Sequence, residues 1–359
     1  MLKRYFSISV WLVLCAIAVN AAEQESGSPA KVPKHFKEIG GSNYVMYNVG
    51  REYLETGDLK AWFSPGVMQP VVATFHQQKK EKVQEQLEAM RISGQRKISI
   101  LMWHDRLTPE LLQTGGVNGH VLASNGGALL PQHEKNLKGL LELIRQNGGF
   151  NELIFRFATQ GAVSPDKWKE WSEDQYCENF NFIVSVRQLV RDSLQGSGMK
   201  LTFDLGAELG GIETGSAAEY TRRMWQDYTR RFGAEDTFGF SIAVHPGRVA
   251  RWIQACDKTG IRPACFALDL YKHIPEWMAR LTSECRNAGI SDPQIIVLET
   301  YYNDPQSLKE LQEAAEQNHI EYLYLMQWPL KRGNTVPHFS SEAFNGDPRY
   351  DAYLSHEVK

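Results

Sequence analysis

Apolar runs one strand long alternate along this chain with stretches whose apolar residues recur at helical spacing. Val71 to His76, Ile98 to His104, Leu153 to Ala158 and Leu201 to Glu208 have the first character. So do Phe238 to His245, Ala264 to Tyr271, Ile295 to Tyr301 and Tyr322 to Trp328. Their richness in Leu, Ile, Val and Phe is that of strands buried on both faces. Between them, Lys79 to Arg91 sets Val83, Leu87 and Met90 on one helical face, and Ala217 to Phe232 does so with Tyr220, Met224 and Tyr228. Helices are also expected near Glu134 to Gln146, Asn179 to Leu194, Arg248 to Asp257, Pro275 to Ala288 and Ser307 to Asn318. Eight strands in roughly 260 residues predict an α/β chain folded as one (β/α)8 TIM barrel. An open doubly wound sheet would place a Gly-rich phosphate loop after its first strand, and none follows Val71 to His76.

The start of the chain breaks this rhythm. Lys3-Arg4 precede a mostly apolar run from Tyr5 to Val19 and then Asn20-Ala21-Ala22, the layout of a signal peptide over residues 1–21. Leu14 stands before Cys15 where a lipoprotein signal needs a small residue, which argues against lipidation. Residues 22–42 read as a polar linker and 43–354 as the barrel domain. No later apolar run is long enough to span a bilayer, so the expectation is an exported, soluble, periplasmic or extracellular monomer. The chain has 359 residues, 42% hydrophobic and 23% charged, an ordinary balance for one large core. A net charge of −3 gives it no electrostatic pull toward nucleic acid. Cys177, Cys256, Cys265 and Cys285 form an even set; a Cys256–Cys265 bridge and buried free thiols both remain open.

In parallel barrels chemistry sits where strands end. The predicted strand ends carry His76, Trp103, His104, Arg156, Glu208, His245, Tyr271, Glu299, Tyr301, Gln327 and Trp328. Aromatic rings stack on the apolar faces of sugars and planar polar groups bond hydroxyls, so this rim suits a saccharide. Two glutamates end MKLTFDLGAE and QIIVLET, and two carboxyls across one cleft are what a glycosidase needs. The Gly-rich loop from Leu107 to Gly127 is expected to form one wall, and Trp62, Trp103, Trp168, Trp171 and Trp328 suggest an extended groove, hence a polysaccharide cut internally.

From Val71 to Pro329 the chain resembles the clan A glycoside hydrolases, retaining enzymes on (β/α)8 barrels. Their acid/base Glu ends the fourth strand and their nucleophile Glu the seventh, the ordinal places of Glu208 and Glu299 here. The resemblance implies that Trp328 in LMQWPL floors the cleavage subsite and that Tyr271 in ALDLY contacts the nucleophile. Two positions depart from it. Ala207 replaces the Asn that binds the sugar 2-hydroxyl, and Met102-Trp103 stand where an Arg beside the nucleophile is usual, a charge Arg156 could supply.

Ala207 also leaves open a barrel that binds carbohydrate for polysaccharide export or assembly without turning it over. A metal-dependent hydrolase would draw on His76, His104, His120, His133 and His245. It lacks support, because no His-x-His pair follows the first strand and no HExxH occurs. Neither a metal nor a cofactor is expected.

Overall fold

The computed structural model describes residues 30–44, 71–77, 79–118, 121–213, 215–330, 332 and 348–355. The expected signal sequence, Trp62 and His120 lie outside the described residues. Among the described residues nine strands make up the main run of the sheet: β1 Gly41–Asn43, β2 Lys97–Arg106, β3 Glu152–Thr159, β4 Lys200–Asp204, β5 Thr237–Gly239, β6 Ile242–Ala243, β7 Phe266–Asp269, β8 Ile295–Glu299 and β9 Tyr322–Gln327. The main helices are α1 Lys80–Ile92, α2 Pro131–Asn147, α3 Glu173–Ser193, α4 Gly215–Phe232, α5 Arg248–Asp257, α6 Ile274–Asn287 and α7 Pro305–Asn318. The strands form a curled parallel sheet in the order β5-β4-β3-β2-β1-β9-β8-β7-β6. Its two ends, β5 and β6, are separated in the chain by Phe240 and Ser241 alone.

Side chains alternate across this sheet with period two. Leu153, Phe155 and Phe157 of β3 join the large apolar layer under the helices, whereas Ile154 belongs to a second cluster with Phe238, Ala267, Ile296, Leu298, Tyr324 and Met326. That smaller cluster fills the inside of the curl, with polar layers above and below it. In the lower layer Glu152 accepts hydrogen bonds from Lys97 (2.7 Å), Thr202 (2.6 Å) and Tyr324 (3.2 Å). The upper layer, two residues beyond Ile154 on β3, is built on Arg156.

Two expectations are corrected here. Val71 to His76 is not a strand: Val71–Thr74 is helical and Phe75–Gln77 is a 3-10 turn. A short apolar run does not distinguish a strand from one buried helical turn, and this one lies on α2, where Asn136 donates to the Ala73 carbonyl (3.0 Å). The first strand is β1, in the stretch expected to be linker. Phe36 is 5% exposed, and the Lys37 and Glu38 amides donate to Tyr322 and Leu323 of β9. Gly40 and Gly41 permit this approach, since a Cβ on them would fall 1.7 Å from the Leu325 carbonyl oxygen and 1.8 Å from that of Lys97. Because one first strand replaces another, β4 stays fourth in chain order.

The Gly-rich loop after β2 also differs from expectation. It folds into short strands, Val117–Asn118, Val121–Asn125 and Ala128–Leu129, of which Val121–Asn125 runs beside the end of β2. Ser185 of α3 donates to the Gly127 carbonyl (2.9 Å). Cys177, Cys256, Cys265 and Cys285 are free thiols.

Candidate active site

A cleft of about 530 Å³ opens beyond the C-terminal ends of the strands, lined by Glu208, Glu299, Trp103, Trp328, His245 and Arg248 among others. Glu208 follows β4 by four residues with φ +60°, left-handed backbone that a side chain rarely adopts. Two contacts hold it there. Its amide donates to Ser241 Oγ (2.9 Å), and its carbonyl accepts from Arg248 Nη2 (2.6 Å). Among the described residues its carboxyl has no hydrogen-bond partner. The side chain stays exposed at the cleft surface, yet crowding by the walls and the charge of Glu299 raise its carboxyl above the usual range, against Arg156 and Arg248.

Glu299 has opposite surroundings. Its Oε1 accepts from Arg156 Nη1 (2.5 Å) and its Oε2 from the Tyr271 hydroxyl (2.6 Å). A register shift aims it inward: Leu268 pairs with Val297 but Asp269 pairs with Glu299, so Leu298 is an extra residue and both it and Glu299 face the interior.

Arg156 is the centre of the upper layer and is fully buried. Beyond Glu299 it donates to Asp204 (3.1 Å), Asn43 (3.1 Å), Ser241 (3.2 Å) and Asp269 (3.5 Å). One guanidinium therefore ties β1, β3, β4, β7, β8 and the β5–β6 break together.

The remaining expected site residues separate into three groups. Trp103, Trp328 and His245 line the cleft. Tyr301 lies one layer back, edge-on to Tyr271 (5.2 Å between centroids) with the Arg332 guanidinium over its ring (4.9 Å). His104, His76 and Gln327 do not line the cleft. His104 stacks on Phe182 of α3 (3.9 Å), where burial lowers it to about 3 and keeps it neutral. His76 is exposed beside Asn136 (3.0 Å) because its segment is helical. Gln327 bonds Ser42, Asn303 and the Arg349 carbonyl, fastening loops to β9.

Trp168 and Trp171 pack on each other, on Tyr220 and on Tyr176 and do not line the cleft either. Among the described residues, no three or more His, Cys, Asp or Glu side chains are grouped to hold a metal ion. Asn43, Asp204, Ser241, Arg248 and Asp269 were not expected at the site. For Asp204 and Asp269 a signal existed, since TFD and ALD each put a charge inside an apolar strand.

Solved structures share this architecture. A GH5_18 protein of Streptomyces cattleya in complex with GlcNAc aligns with a TM-score of 0.50 and 13% identity over 90% of this chain and 79% of that one. The chain shares the fold of that protein. A GH5_18 protein of Bifidobacterium longum aligns with a TM-score of 0.49 and 11% identity, over 89% of this chain and 78% of the other. The exo-beta-1,4-mannosidase Op5Man5 of Opitutaceae bacterium strain TAV5 aligns with a TM-score of 0.48 and 12% identity, over 90% of this chain and 58% of that one. No family model and no curated protein matches the sequence.

Proposed function

We propose that this chain is an exported glycoside hydrolase that cleaves a polysaccharide by double displacement. Counting β5 and β6 as one interrupted strand, the curled sheet reads as an eight-stranded barrel with Glu208 after its fourth strand and Glu299 on its seventh. The observation that carries the reading is that two glutamates share one cleft with different partners, one carboxyl raised and unbonded among the described residues, the other bonded to a guanidinium and a phenol. Glu208, its carboxyl raised and without a hydrogen-bond partner among the described residues, is suited to donate a proton to the leaving oxygen and then to take one from water. Glu299, held by a cation and a phenol, is suited to attack the anomeric carbon. Trp328 and Trp103 offer rings to the sugar. An internal cut is the reading for a cleft of this lining, now resting on two tryptophans, since Trp168 and Trp171 pack elsewhere.

The test is a polysaccharide panel with product analysis, using Glu299→Gln and Glu208→Gln as controls. Glu299→Gln should abolish turnover while remaining folded, and the first product should keep the substrate's anomeric configuration. Hydrolysis that survives Glu299→Gln would sink the assignment.

One observation favours a second reading. Ala207 offers no side-chain donor next to Glu208, as in a barrel that binds sugar without cutting it. Calorimetric binding of an oligosaccharide with no release of reducing ends would select it.

A further inference from the structure

The upper layer holds one cation and three carboxyls, largely shut off from water, with Glu299 alone of the four reaching the cleft. Arg156 and Asp204 are 0% exposed, Asp269 3% and Glu299 8%. Three buried anions around one guanidinium leave two charges without compensation, so a proton is required on one of them. The hydrogen bonds say which. Asp204 accepts from Arg156 Nε (3.1 Å), from the Gly206 amide (3.2 Å) and from the Ser241 amide (3.0 Å), so both of its oxygens have partners. Glu299 accepts from Arg156 and from Tyr271 at 2.5 and 2.6 Å. Among the described residues Asp269 has one long contact, 3.5 Å to Arg156, and its buried Oδ1 has no partner. A carboxylate with an unsolvated oxygen is far costlier to bury than the neutral acid.

We propose that Asp269 is a positioning residue that keeps its proton at neutral pH, leaving the single charge of Arg156 to Asp204 and Glu299. The groups acting on it come from every neighbouring element. Glu299 on β8, Asp204 on β4 and Glu208 in the loop after β4 disfavour its ionisation, as burial does, while Arg156 on β3 favours it. Arg248 at the start of α5 and Tyr271 after β7 also lie within electrostatic reach of it. An ionised Asp269, paired in register with Glu299, would compete for the same guanidinium and loosen the hold on the nucleophile.

The activity arm of the test rests on the glycosidase reading; the spectroscopic arm does not. Protein carrying carbon-13 in its aspartate carboxyl groups should show, by infrared spectroscopy at neutral pH, a protonated aspartic acid band that Asp269→Asn removes. Absence of that band from the unsubstituted protein overturns the proposal even if the variant fails to fold, and so does a band that survives the substitution. In activity, Asp269→Asn exchanges one neutral group for another, so the acid limb of kcat/KM should stay in place. A downward displacement of that limb by about one pH unit or more would mean that a negative charge had been removed, and the proposal would fall. A chain that shows the band but no turnover on any glycoside would overturn the glycosidase reading and leave the Asp269 proton standing.

Discussion

At Glu208 the backbone occupies a conformation that L residues avoid, and Ser241 and Arg248 are what hold it there. Ser241 Oγ has a second duty, accepting from Arg156. Ser241→Ala should therefore cost on the order of 1–2 kcal/mol in transition-state free energy, roughly tenfold in kcat/KM, with a smaller change in KM. Steady-state kinetics on folded protein checks this, and an unchanged kcat would show that neither contact matters to turnover.

The raised carboxyl of Glu208 has a sign that can be worked through. A general acid is active while protonated, so activity persists below its raised value and declines as pH climbs through it. Glu208→Gln should remove that alkaline limb from whatever turnover remains on aryl glycosides with good leaving groups. Glu208, Glu299 and Arg156 were readable from the sequence because each closes or interrupts an apolar run. Arg248 was not, because it opens a helix and nothing in the local pattern shows that its side chain turns toward the preceding loop.

Among the elements, most long helices and central strands were legible within a few residues because their periodicity is sustained, although α3 begins six residues before the expected Asn179. β1 was not: Gly41-Ser42-Asn43 has no apolar side chain, and its strand character comes only from lying between β2 and β9. The β5–β6 break was likewise hidden inside a mostly apolar run from Phe238 to Val244, interrupted by Ser241. β1 makes its own prediction. Gly41→Ala puts a methyl against the backbone oxygen of Lys97, which has little room to yield, so the variant should lose about 1–3 kcal/mol of stability. Urea denaturation measures it, and a midpoint equal to that of the parent would mean that β1 does not sit so tightly between its neighbours.

Over the whole molecule, the interior of the curl is stacked polar, apolar, polar, with chemistry assigned to one end only. The lower layer is structural. Burial pushes Glu152 upward, but Lys97 and Lys200 outweigh it and hold the carboxyl below its usual value. A carboxyl lowered in the folded state adds stability above the unfolded value of about 4.3, and that contribution disappears as pH falls through the folded one. Glu152→Gln should cost about 3–5 kcal/mol at neutral pH, with the gap from the parent narrowing in acid. Thermal melts against pH would show it, and parallel curves would remove Glu152 from the account.

The placing of β1 between β2 and β9 also has a consequence in time. Among the described strands β9 is made last, so β1 waits for its second partner through the synthesis of nearly everything between them. Contacts this distant in sequence form slowly. Until β9 is made, β1 has β2 alone to pair with and its second edge stays open.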